Sequence, residues 1–353
     1  MNSLFIKNIK INKKYILILL IIFVLIFSLI YYTTFAKSNT SNSGSENNSY
    51  IKWVDFGVTT EALEKTAKLD INSHNNHEKI QYNWIELLAY LACKNGGNFK
   101  NFNQKDLDSL TQKLRNGETM TNLAKDMKYY NYYFESYSAV LEQFIGYYYI
   151  ETPNSDGTTS MQYKYGIKAF SPIAKNYAFS HYDDFGNSRS YGFKRTHLGN
   201  DLMGSIGTPI IAVESGIVEA CGWNQYGGWR IGIRSFDGRR YYYYAHLRKD
   251  HPYAENLHVG QTVLAGDVIG YLGMTGYSLK ENVNNINVPH LHFGMELIFD
   301  ESQKDSTNEI WINVYQIVEF LKKNSSQVYM NNKDSKDYTR KYEFYESDKF
   351  IYK

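Results

Sequence analysis

The chain has 353 residues, enough for two modest domains with a substantial core. Its 38 Lys and Arg against 36 Asp and Glu leave a formal net charge of +2, too balanced to suggest a nucleic-acid partner. The two cysteines, Cys93 and Cys221, exclude a disulfide framework or a cysteine-rich metal site, so any metal must be held by His and carboxylate.

Residues 15–32, YILILLIIFVLIFSLIYY, form an uncharged run just long enough to span a bilayer as a helix. Lys7, Lys10, Lys13 and Lys14 precede it and tyrosines stand at both ends. The positive-inside bias therefore places residues 1–14 in the cytoplasm as a short tail and everything after residue 32 outside, a single-pass arrangement. The competing reading is a cleaved signal peptide with Thr34-Phe35-Ala36 as the cleavage site. Both readings export the rest of the chain. Residues 33–49, with the polar tract SNTSNSGSENNS, read as a flexible linker.

Residues 50–151 carry helical patterning. Residues 59–69 open with TTEALEKT, where Thr59 or Thr60 can cap and Glu61 and Glu64 favour the positive end of the helix dipole. Residues 84–94, WIELLAYLACK, and the stretches 106–114 and 120–127 repeat apolar positions at helical spacing, and 130–149 is long and aromatic-rich. The expectation is a small all-α domain of four or five helices. Glu86 lacks a second carboxylate and reads as helix surface, not as a glycosidase acid. His74 and His77 lie in a polar stretch and read as solvated.

After about residue 152 short β-branched and aromatic runs alternate with glycine, which signals strands and turns. Strands are expected at 209–213, 216–221, 230–235, 240–246, 268–272 and 289–297, with Phe236-Asp237-Gly238 closing a hairpin. Residues 311–321, WINVYQIVEFL, read as a closing helix, and 322–353 as a loose polar tail.

Three histidine-bearing strings fall in this β-rich half: THLGND (196–201), YYYYAHL (241–247) and PHLHF (289–293). Alternate side chains of a strand share a face, so His290 and His292 project together, as suits a metal ion, a proton relay or both. His197 and Asp201, four apart, share a face whether the segment is extended or helical. A His, Asp, His set gives zinc three protein ligands and leaves a fourth tetrahedral position for water, the arrangement of a catalytic site. His251 and His258 read as exposed loop residues, His181 as surface, and Asp183 and Asp184 as acids the set does not need. Trp223, Tyr226 and Trp229, on a glycine-rich turn, are candidate groove walls or domain-edge packing.

In order and spacing these strings resemble the lysostaphin-like (LytM-type) zinc metalloendopeptidases of peptidoglycan, with their His-x3-Asp, central Ala-His and closing His-x-His. The runs GTPIIAVESGIVEACGW and VGQTVLAGDVIGYLGMTGYS are similar to the family's strand and glycine-turn framework, and the likeness covers about residues 180–299. It implies a mostly antiparallel β peptidase domain of the duplicated hybrid motif type over residues 180–321; with the transmembrane helix and small all-α domain read above, the expected whole is an α+β protein. It implies one zinc ion held by His197, Asp201 and His292. His246 and His290 would be unliganded imidazoles sharing base, acid and oxyanion duties, and Tyr191 would point at the developing oxyanion. The implied function is a membrane-anchored extracytoplasmic endopeptidase cutting peptide bonds in peptidoglycan. The alternative is a non-catalytic scaffold or regulator of sporulation or cell division on the same fold.

Overall fold

The computed structural model describes residues 50–190, 194–304, 306–334 and 336–346. The expected tail, anchor and linker of residues 1–49, and Tyr191, lie outside the described residues. Among the described residues no helix is long and apolar enough to cross a membrane.

Five helices open the described chain: α1 (Thr60–Asn75), α2 (Trp84–Asn95), α3 (Gln104–Arg115), α4 (Met120–Ala124) and α5 (Tyr130–Leu141). Thr59 caps α1 and Asn83 caps α2 by accepting from backbone N–H groups of the first turn. Helix α1 buries Ala62, Leu63, Thr66, Ala67, Asp70 and Ser73, the three- and four-residue spacing of one face.

The aromatic segment after residue 130 splits. Helix α5 stops at Leu141, and Ile145–Pro153 is strand β1, paired with β2 (Thr159–Ile167) from Ile145↔Ile167 to Pro153↔Thr159. Aromatic residues satisfy either period, and the partner strand decides between them. Small strands β3 (Ser180–His181), β4 (Ser188–Ser190) and β5 (Lys194–Thr196) follow, then β6 (Asn200–Met203), β7 (Pro209–Ile211), β8 (Gly216–Asn224), β9 (Gly228–Ser235), β10 (Arg240–Ala245), β11 (Thr262–Val263), β12 (Val268–Tyr271) and β13 (His290–Leu297). The main sheet runs β11-β8-β9-β10-β13-β6-β3, antiparallel throughout. A further strand, β14 (Ile310–Ile312), pairs with the second half of β13.

The expected closing helix at 311–321 is therefore strand first; helix α6 spans only Tyr315–Leu321. Nor are the described residues of the polar tail loose. Strands β15 (Val328–Asn332) and β16 (Asp337–Arg340) form a hairpin, and β17 (Phe344–Glu346) pairs with β1. Its charges have partners distant in sequence: Asp337 accepts from His251 and Tyr271, Arg340 forms an ion pair with Asp267, and Glu346 pairs with Lys168.

Alternation on β13 fixes what faces where. Leu291, Phe293, Met295 and Leu297 are fully buried in the core, which leaves His290 and His292 on the opposite face. The same core takes in helix residues such as Leu63, Leu88 and Tyr137 together with Phe320 and Leu321 of α6, and the described residues from Tyr50 onward cluster as one unit. Trp84 stacks on Phe320, and Gln316 accepts from both the backbone and the hydroxyl of Thr60. Arg240, fully buried, ties β10 to the end of α5 by donating to the Ala139 carbonyl, while Glu214 and Asp237 neutralise it.

Candidate metal centre

Strand register brings the first two groups together. In the β6–β13 ladder Asp201 lies directly opposite His292, so both side chains rise from the same face as neighbours. The loop entering β6 carries His197 over them. Gly199 makes this possible: a Cβ there would lie 2.7 Å from Nε2 of His292 and 2.8 Å from the Phe293 carbonyl. No other residue type leaves room for that close approach.

His197 Nε2, Asp201 Oδ1 and His292 Nδ1 form a triangle with sides of 2.9, 3.1 and 3.1 Å. Three electron-pair donors this close repel one another unless a cation or proton sits among them. The edges are slightly shorter than the roughly 3.3 Å expected between tetrahedral ligands on bonds of about 2.0–2.1 Å. Among the described residues this is the His/Cys/Asp/Glu group that could hold a metal ion. The donor set fits zinc.

The protons around the triangle are set by backbone. His197 Nδ1 lies 3.1 Å from the Asp184 carbonyl; a neutral His197 that donates there turns its Nε2 lone pair inward. His290 Nδ1 donates to the Val288 carbonyl at 2.8 Å and His246 Nδ1 to the Thr275 carbonyl at 2.9 Å. Both then present an Nε2 lone pair; that of His290 lies 3.6 Å from Asp201 Oδ1. The His246 and His290 rings are 4.8 Å apart. His246 holds its place in a left-handed backbone conformation, φ +63°, which costs about 1–3 kcal/mol for a side-chain-bearing residue.

Burial would depress the basicity of His197, yet its bonds to Asp184 and Asp201 win and raise it to about 9. Burial likewise opposes ionisation of Asp201, but bonds to His197 and His292 hold it well below the carboxylate range. His246 goes the other way: burial, then the neighbouring His290 and His292, push it well below an ordinary imidazole, so it stays neutral at pH 7.

Three residues outside the sequence motifs complete the surroundings. Asp184, set aside as superfluous, accepts from the Asp201 backbone N–H and the Asn200 amide besides holding His197. Arg189 on β4 donates to Asp184 at 2.5 Å and to Asp201 Oδ2 at 3.0 Å. Arg195 stands opposite it on β5. No spacing rule points to any of them, because a loop closure and a small hairpin bring them in.

Other expectations are redrawn. The His181 side chain is buried, not surface, and bonds Glu319 at 3.2 Å. His74 is not solvated but stacks on Tyr165 and pairs with Asp70. His251, expected on an exposed loop, is held by Asp337. Trp223 and Trp229 pack edge-on against each other, and neither lines the cleft at the triangle. Tyr226 approaches it through Tyr277.

The sequence model of peptidase family M23 matches residues 195–306. The chain is 40% identical over 124 residues to the L-Ala--D-Glu endopeptidase of Bacillus subtilis, covering 35% of this chain and 36% of that protein. Over 98 residues it is 42% identical to lysostaphin of Staphylococcus simulans, covering 28% and 17% respectively. It therefore spans about a third or less of the length of these relatives. Among solved structures, a putative glycyl-glycine endopeptidase lytM from Ruminococcus gnavus aligns at 23% identity and a TM-score of 0.49, covering 78% of this chain and 92% of that one.

Proposed function

We propose, from the premise that residues 195–306 are a peptidase family M23 domain, that the chain is a zinc metalloendopeptidase hydrolysing peptide bonds in bacterial peptidoglycan. In this reading residues 15–32 anchor it in the cell membrane and its catalytic part faces the wall. The observation that carries the chemistry is the triangle of His197, Asp201 and His292 with two further imidazoles beside it. The relatives support the polymer, one being an L-Ala--D-Glu endopeptidase and the other lysostaphin.

His197, Asp201 and His292 would hold the ion. When bound, zinc supplies Lewis acidity, making an attacking water more acidic and polarising a peptide carbonyl. His246 and His290 do the proton work. Each has its Nδ1–H fixed on a backbone carbonyl, so Nε2 is the atom that takes a proton from water and returns one to the departing amine. Because His246 is kept neutral, it serves as acceptor at neutral pH without first shedding a proton.

The test uses the full chain in detergent with zinc on purified wall material, beside a His290→Ala variant. The proposal expects new amino groups from the intact protein and a loss of about a hundredfold or more in the variant, the usual scale for a general acid or base. Equal behaviour of the two would favour the scaffold alternative.

A further inference from the structure

The cleft at the triangle, about 260 Å³, is lined on one side by the paired strands β4 and β5, which bring in two arginines. Arg189 and Arg195 are cross-strand partners, so two full positive charges sit side by side. Like charges directly opposite are unfavourable unless something offsets them. Arg189 has its counter-charges in Asp184 and Asp201. Arg195 makes no ion pair among the described residues, Asp201 acting on it only at longer range, and its Nε, buried from solvent, has no hydrogen-bond partner. Its guanidinium instead lies over the Tyr277 ring, 5.0 Å from the centroid, and Tyr277 stacks on His246 at 5.9 Å. A rigid, always-charged fork is thus held one ring away from a proton-handling imidazole, lining the cleft with its Nε donor unpaired.

Resting on the peptidase reading, we propose that Arg195 is a specificity-determining residue that binds a free carboxylate on the substrate close to the scissile bond. The substrate class is then an anionic stem peptide of the wall, not an uncharged glycine bridge. A guanidinium recognises a carboxylate through two parallel N–H donors, and the half-desolvated cleft strengthens that pairing. Stem peptides offer this one chemistry from several places: the α-carboxylate of a γ-linked glutamyl residue, the second carboxylate of a diamino acid, and the chain terminus.

The experiment compares, with the zinc-loaded full chain, a synthetic stem peptide and versions in which each carboxylate in turn is a carboxamide, with pentaglycine as the uncharged case. Cleavage is followed by mass spectrometry, and binding is measured separately by calorimetry on the His290→Ala variant. One amidation is expected to lower kcat/KM and affinity about tenfold or more, the scale of a charge-assisted hydrogen bond; which amidation does so identifies the source. In Arg195→Gln the ratio between that pair of peptides should collapse towards one, and Arg195→Lys should restore part of it. Because the first comparison uses the unmodified protein, a poorly folding variant does not decide the matter. Cleavage with equal rates for all the peptides overturns the carboxylate assignment and leaves the peptidase reading standing. Discrimination in binding without any cleavage does the reverse. No binding and no cleavage of any peptide overturns the assignment too, as does an unchanged ratio in Arg195→Gln.

Discussion

The atom missing from Gly199 does as much for the metal triangle as the atoms present in its three corners. A methyl group there would strike the His292 ring and the Phe293 carbonyl, and the latter, being backbone in a paired strand, cannot yield. Gly199→Ala is therefore expected to weaken zinc binding by roughly tenfold or more, on the scale of lost support for a ligand. Competition with a chromogenic chelator measures this. Asp184→Asn keeps the side-chain shape but removes the charge facing His197 and Arg189; an affinity loss of about 10–100-fold is expected in the same assay. The histidine strings were legible in sequence because a strand has a period of two, so His-x-His announces two imidazoles on one face. Asp184 and Arg195 were not, since nothing in a linear spacing tells which loop will fold back over a ligand.

On β13, one face carries chemistry and the other carries stability, and the two can be separated by mutation. Phe293 is fully buried between Tyr242 and Tyr244, so Phe293→Ala is expected to cost about 3–5 kcal/mol in denaturant unfolding. On β10, Arg240→Met leaves Glu214 buried without its partner, and a comparable loss of about 3–5 kcal/mol is expected. Asp237 adds a pH signature to the same cluster. Burial would raise its pKa, but the Arg240 charge and the Ser235 and Arg239 donors bring it below the ordinary carboxylate value. Its stabilising contribution is present above about pH 4, the unfolded value, and is lost as pH falls through the lower folded one. Asp237→Asn should accordingly be less stable than the parent at pH 7, the gap closing in strong acid; urea midpoints across pH show this. Helix starts were readable from caps such as Thr59 and Asn83. The strand after α5 and the strand before α6 were hidden, because Tyr and Trp runs fit either period until a partner strand is known.

Across the whole molecule, the helices and the β-sheet share one core. Composition changes at about residue 152, which suggests separable halves, yet Trp84 on Phe320 and Arg240 on Ala139 tie them together. Calorimetry of the zinc-free chain is expected to show a single cooperative transition over residues 50–346, not two separated ones. Two resolved transitions would mean that the shared core is not cooperative. The pairing of β17 with β1 carries a different lesson, about order in time. A strand completed early in synthesis waits for a partner encoded far downstream, so the fold stays open along one edge while the polypeptide is still emerging.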